Sequence, residues 1–130
     1  MATSNLGRKT KEINDSLDSI VIVNALGDIP GGRTLDVSGV PSGTTVIAAG
    51  HVIVKTATGK HKPLGVTKGA YATLAEGESY AGILKVSVLV SDPRAAILTI
   101  GQVNAAAAKN AVGAPYTDAI KKGLSHIQFL

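Results

Sequence analysis

The sequence predicts a mainly β domain, a small barrel or a sandwich, with one or two short helices near the C-terminal end. Apolar runs rich in Val, Ile and Thr recur along the chain, as in half-buried strands. Gly- and Pro-containing turns separate them at the spacing of about 8–12 residues that is typical of small β domains. The 130 residues include three Tyr, one Phe and no Trp, so we expect a modest core that association would stabilise.

The first half of the chain contains the clearest strands. We predict the first strand over residues 19–26, followed by a glycine turn. Two more strands are expected at 44–49 and 51–56. A turn at 57–60 then returns the chain as a hairpin strand over 61–66. Pro63 lies inside that last run, and because proline cannot donate to a ladder, it indicates an edge strand or a bulge.

The most apolar part of the chain is predicted to be a hairpin. Residues 84–90 alternate polar and apolar side chains, and residues 95–100 form a second apolar run. The turn at 91–94 contains Pro93, and Gly101 is expected to stop the second strand.

Two short helices are predicted after this hairpin. Asn104 is a residue type that caps a helix, and the alanine-rich helix that follows should end before Gly113. A last helix is predicted over 116–122, with Pro115 in its first position and Gly123 as its stop. Its Asp and Lys residues complement the helix dipole. The apolar end at 126–130 is suited to packing on this domain or on a neighbouring copy.

No group of side chains in the sequence predicts catalysis, a metal or a cofactor. Residues 27–34 resemble a phosphate loop, but Arg33 replaces the required Lys, and strand-forming residues follow where a helix should begin. His51 and His61 flank one hairpin without a nearby Cys or carboxylate, and His126 is remote, so the metal pattern is weak. Glu76 and Glu78 have no evident partner. We therefore expect a protein that is not an enzyme and has no small-molecule substrate.

Charge and hydropathy limit the class of partner. The net charge of +4 is spread thinly, and Tyr71 and Tyr80 are the only stacking candidates in the strand region. A nucleic-acid-binding barrel is therefore an alternative that we do not favour. No run approaches the ~18 apolar residues of a membrane span, and the first residues lack a secretory h-region. The absence of Cys fits assembly in a reducing compartment.

Three short segments resemble the head-decoration proteins of tailed bacteriophages and the capsid-binding portion of phage head fibres. They are Lys62-Pro63-Leu64-Gly65-Val66, Tyr80-Ala81-Gly82-Ile83-Leu84 and Gly101-Gln102-Val103-Asn104-Ala105-Ala106. The segments 116–124 and 126–129 are similar to the terminal helix and apolar tail of those families. Residues 1–40 have no such likeness.

The resemblance implies a structural virion protein, made in the host cytoplasm, that binds the major capsid protein on the outside of an expanded capsid. It implies a homotrimer that stabilises the shell or anchors a head fibre, and another tail or fibre module is the alternative. Residues 1–18 would form an extended arm before a single domain at 19–130. The expected capsid-binding residues are Ala2, Thr3, Ser4, Asn5, Leu6, Arg8, Lys9 and Lys11. The expected oligomer-interface residues are Val103, Asn104, Ala105, Ile127 and Phe129.

Overall fold

The computed structural model describes residues 18–130, and it confirms the mainly β class with short helices near the C-terminal end. The helices are α1 (Asp18–Val21), α2 (Ala105–Val112) and α3 (Asp118–Gly123). The strands are β1 (Ile22–Asp28), β2 (Arg33–Thr34), β3 (Val46–Ile47), β4 (Val52–Lys55), β5 (His61–Pro63), β6 (Val66–Thr67), β7 (Ala70–Tyr71), β8 (Ser79–Leu84), β9 (Val88–Leu89), β10 (Arg94–Ala95), β11 (Ile97–Val103) and β12 (Ile127–Phe129).

One six-stranded sheet organises the domain. Its strand order is β1-β11-β8-β4-β5, and β12 also pairs with β11. All of these pairs are antiparallel except β11 with β12, which is parallel and matches Gly101 with Ile127. Three two-stranded sheets complete the strand pairing. They join β2 with β10, β3 with β9, and β6 with β7. Since β1 and β5 lie at opposite ends of the order, the described strands form an open sheet and not a closed barrel.

The sheet is covered on both faces, and the strand sequences show why. Successive side chains of a strand point to opposite faces. Val52 and Val54 of β4 therefore join one buried cluster, while Ile53 joins the other. The first cluster includes residues of α2 and α3 and is called the helix-side cluster. The second packs against short β-pairs and loops through Leu35, Ile47, Val88 and Ala95, and is called the loop-side cluster.

Three of the four aromatic side chains, with His51, form a continuous row in the interior. The His51 and Tyr71 rings meet edge to face at 5.5 Å, and Tyr71 stacks on Tyr116 at 6.2 Å. Tyr116 in turn contacts the Phe129 ring at 4.8 Å. The Tyr116 hydroxyl donates to the carbonyl oxygen of Gly50 at 2.6 Å. This row joins the C-terminal segment to the middle of the sheet.

The predicted caps of α2 are confirmed. The Asn104 side chain accepts a hydrogen bond from the backbone N–H of Ala107 at 3.1 Å, and Gly113 ends the helix with a φ of 89°. The predicted start of the last helix is wrong. Thr117, whose hydroxyl accepts from the Ile120 N–H, is the cap of α3, so Pro115 precedes the helix and Gly123 is its last residue. A side-chain cap at Thr117 satisfies a free N–H, which Pro115 cannot do.

The predicted central hairpin is wrong in its first strand. β8 ends at Leu84, which pairs with Ile97, and the chain then bends before β9 pairs with β3. The bend is held by Asp18, whose carboxylate accepts hydrogen bonds from the Ser87 N–H at 2.7 Å and the Ser87 hydroxyl at 2.6 Å. β11 also continues through Gly101 to Val103, so Gly101 does not stop it.

Other strand predictions are confirmed in part. The β4–β5 hairpin has the predicted turn, and Pro63 lies on an outer strand of the sheet as expected. The predicted strand at 44–49 is reduced to β3. Residues 19–21 of the first predicted strand instead belong to α1, which buries Val21 beside Gly50 and Ala108. That packing is between segments far apart in the sequence, so local β propensity did not decide it.

Candidate functional site

The outer strand β1 carries the most exposed apolar side chains of the sheet. Its pairing with β11 has register shifts that leave Val23 and Leu26 as extra, unpaired residues. Bulges re-aim side chains in this way, and Val23 is 51% exposed and Leu26 69%. Ile20 precedes them, and Ile100 lies opposite Gly27 on β11. These four residues, Ile20, Val23, Leu26 and Ile100, are called the β1 apolar edge.

The other outer strand, β5, is protected against a further strand. Pro63 lacks a backbone N–H, and Leu35 forms a parallel bridge to His61. The N–H of Asp36 also donates to the His61 carbonyl at 2.7 Å. Natural sheets block outer strands in these ways to prevent unwanted pairing. β1 contains no proline and no basic side chain, so the two outer strands differ in these features.

The carboxylates at the two ends of the α1–β1 segment already have partners. Asp28 accepts from the Lys85 ammonium at 3.2 Å, and Asp18 is bound to Ser87. The segment between them, residues 19–27, contains no ionisable side chain. Contact at the β1 apolar edge would therefore be selected by shape and apolar area more than by charge.

The structure uses two of the predicted oligomer-interface residues inside the chain. Val103 is fully buried and Ile127 is 5% exposed, both in the helix-side cluster. Their side chains cannot contact another copy while the domain is folded. Asn104 is occupied as the cap of α2, and Ala105 and Phe129 are half-buried. For these last three residues, an interface role stays a prediction.

The predicted capsid-binding residues all lie in the segment 1–17, outside the described residues. What the structure places is the point at which this segment joins the domain. Residue 17 leads directly into α1, so the segment joins the domain beside Ile20 and the start of β1. The sequence did not single out Val23 and Leu26, because a strand pattern alone does not show which residues a bulge turns outward.

The three histidines have different surroundings. Within residues 18–130, no three His, Asp or Glu side chains gather in a way that could hold a metal ion. His51 is mostly buried, and its Nε2 contacts the Leu64 carbonyl oxygen at 2.6 Å. Burial lowers the pKa of His51, partly opposed by that hydrogen bond. Burial also lowers the pKa of His61, as do the Arg33 and Lys55 charges. His126 is exposed.

These histidine shifts predict that the domain loses stability when the pH falls. Both pKa values lie below the ordinary 6.5 in the folded chain, so below about pH 6.5 the unfolded chain binds protons that the folded chain does not. The free energy of unfolding should therefore fall as the pH drops, by at most about 1.4 kcal/mol per pH unit for each histidine. Urea denaturation between pH 7.5 and 5.5 measures this slope.

Single substitutions assign the slope to its sources. His51→Gln and His61→Gln should each make it shallower. A free energy of unfolding that stays constant over this pH range in the parent chain would contradict the prediction.

The segment that resembles a phosphate loop borders an open cleft, which is lined by residues of the paired strands β2 and β10. Gly31 and Gly32 have φ values of 75° and 67° and turn the chain after β1. The Arg33 guanidinium donates to the carbonyls of Pro30 and Gly32, at 3.1 and 2.6 Å. Arg94, which also lines the cleft, binds Asp92 through two hydrogen bonds of 2.9 Å. No helix follows the loop, which agrees with the interpretation of this segment as a glycine turn.

The remaining candidate side chains also have structural roles. Tyr71 is buried, so its ring is not available to stack on a base, and half-buried Tyr80 packs beside Gly123. Glu78 binds the Lys62 ammonium at 2.5 Å and accepts from the Ala75 N–H, and both contacts lower the pKa of Glu78. Glu76 is exposed.

Comparison with models of known families, with characterised proteins and with solved structures finds no match to this chain. In residues 18–130, no helix has both the length and the apolar character needed to cross a membrane.

Proposed function

We propose that this chain is a structural virion protein that binds the outer surface of an expanded phage capsid as an oligomer. By the resemblance described above, the oligomer is a trimer that binds the major capsid protein and stabilises the shell or anchors a head fibre. Binding only to the expanded shell would stabilise that state by mass action. The proposal requires no catalytic residue and no cofactor.

The observation that carries the proposal is the β1 apolar edge, which the segment 1–17 precedes in the sequence. An outer strand with exposed Val23 and Leu26 is a surface suited to contact with another protein. Residues 1–17 join the domain at this point, and an extended segment can add a strand to the sheet of a capsid protein. Under this proposal, residues 1–17 and the β1 apolar edge would bind the same capsid protein.

Each of the three segments that resemble decoration proteins contributes residues to the principal sheet. Lys62–Pro63 is in β5, Tyr80–Leu84 in β8, and Gly101–Val103 in β11, all in the principal sheet. The turn from β11 into α2 through Asn104 is formed by side-chain capping. Such a shared location supports the resemblance more than isolated short matches would.

The test is the solution mass by light scattering, followed by co-sedimentation with expanded, undecorated capsids of the phage that encodes the chain. We expect a mass of three 13.1-kDa chains and saturable binding to the capsids. Deleting residues 2–17 should abolish capsid binding and leave a folded oligomer. Asp18 is retained in this variant because it holds Ser87.

One variant tests the β1 apolar edge, and a second controls for the change in charge. Leu26→Lys places a charge on the β1 apolar edge and should weaken binding at least tenfold, as expected where an apolar contact is lost. Lys109→Glu reverses a charge at an exposed position of α2 and should bind normally. A monomer that ignores capsids would overturn the proposal. Salt-sensitive affinity for single strands would then favour the nucleic-acid alternative.

A further inference from the structure

A cavity of about 250 Å³ lies beside β4 and β5, distant in sequence from β1. Its walls come from residues 39–48, residues 63–66 and the last turn of α2. Aliphatic side chains make up most of the lining, among them Val40, Val46, Ile47, Leu64, Val66 and Val112. None of the described residues that line it is charged. The cavity therefore suits a neutral, mainly apolar occupant.

His51 supplies the polar group of this cavity. Its Nε2 lies 2.6 Å from the Leu64 carbonyl oxygen, and a carbonyl oxygen can only accept a hydrogen bond. Nε2 must therefore be the donor, and in the neutral ring Nδ1 bears a lone pair. Within residues 18–130 no hydrogen bond to Nδ1 is present. The edge-to-face contact with Tyr71 holds the ring in this orientation.

Among the described residues that line the cavity, the only other polar side chain is that of Thr44, an exposed residue. The body of an occupant would therefore meet mainly aliphatic surface. An apolar cavity of about 150 Å³ is enough to hold benzene. A volume of about 250 Å³ thus has room for a bicyclic molecule.

We propose that this cavity binds a small neutral molecule with an apolar body and one hydrogen-bond donor, and that the donor binds Nδ1 of His51. The class includes indoles, phenols and compact alcohols. The aliphatic walls would supply most of the affinity by burying the body of the molecule. The single acceptor would select molecules with an N–H or O–H group over equally apolar molecules without one. This inference is independent of the proposed function.

The experiment is an NMR titration of the full-length ¹⁵N-labelled chain with indole and with benzothiophene. These molecules have similar size and shape, but only indole has a donor. We expect saturable shifts at His51, Val66 and Val112 with a Kd below about 1 mM for indole. Benzothiophene should bind about fivefold more weakly, as expected for one hydrogen bond.

Two substitutions separate the acceptor from the cavity. His51→Leu should remove the preference for indole and retain benzothiophene binding. Ala111→Leu should fill the cavity and abolish both, and Ala106→Leu on the exposed side of α2 should change neither. Because Ala111→Leu leaves the Leu64 hydrogen bond intact, it tests the cavity even where His51→Leu does not fold. Equal affinity for the two molecules, or no saturable shift at the cavity residues, would overturn the inference.

Discussion

Replacing Tyr116 with alanine is expected to lower the free energy of unfolding by about 4 kcal/mol. The ring is buried between Tyr71 and Phe129, and its hydroxyl binds the Gly50 carbonyl. The substitution removes this packing, leaves a cavity and takes away the hydrogen bond to Gly50, while β12 stays paired with β11. Denaturation in urea followed by far-UV circular dichroism measures the change.

Two tyrosine-to-phenylalanine variants divide this effect into its parts. Tyr116→Phe keeps the ring and leaves the Gly50 carbonyl without its donor, so we expect a loss of about 1.5 kcal/mol. Tyr80→Phe removes a hydroxyl that has no hydrogen-bond partner in the described chain, and its effect should be close to zero. If Tyr116→Ala were as stable as Tyr80→Phe, the aromatic row would not be a stabilising element.

Gly101→Ala is expected to destabilise the domain by about 3 kcal/mol, and mainly at β1. A Cβ at this position would overlap the backbone carbonyl oxygen of Asn24 and crowd Leu98 Cδ1, which would lie 3.2 Å away. Backbone cannot move aside as a flexible side chain can, so β1 must shift away from β11. Urea denaturation gives the total loss, and amide hydrogen exchange shows where it occurs.

A second glycine provides the control. A Cβ on exposed Gly39 would meet no atom within 4 Å, and this residue does not have a positive φ. Gly39→Ala should therefore be neutral or slightly stabilising, because alanine restricts the unfolded chain. In Gly101→Ala, faster exchange should be confined to β1 and the facing part of β11. Uniform acceleration across β4 and β5 would contradict a local effect.

The features that could be predicted from the sequence are those that neighbouring residues determine. The β4–β5 hairpin, the Asn104 cap and the Gly113 end of α2 each depend on a few consecutive residues. The bend after Leu84 depends instead on Asp18, which is far away in the sequence. Residues 84–90 have the alternation of a strand. They do not form one continuous strand, because the distant Asp18 carboxylate binds Ser87 in the bend between β8 and β9.

The candidate sites were harder to predict for the same reason. The exposure of Val23 and Leu26 results from register shifts against β11, and no local pattern encodes those shifts. From the sequence, His51 is only a weak candidate for a metal ligand together with His61. Its surroundings in the fold instead come from Leu64, Tyr71 and a cavity formed by several segments. Sequence spacing identified a histidine on a hairpin but not the walls around it.

The pairing of β1 with β11 also has a consequence for the order in which the chain folds. Asp28 is matched with Leu98, so about seventy residues must be synthesised before the first strand meets its partner. Closing so long a loop is slow compared with forming a local hairpin. During that interval the apolar side chains of β1 are exposed on a nascent chain, where they are accessible to chaperones and to other nascent chains. Folding yield should therefore depend on protein concentration more steeply than the stability of the finished domain would suggest.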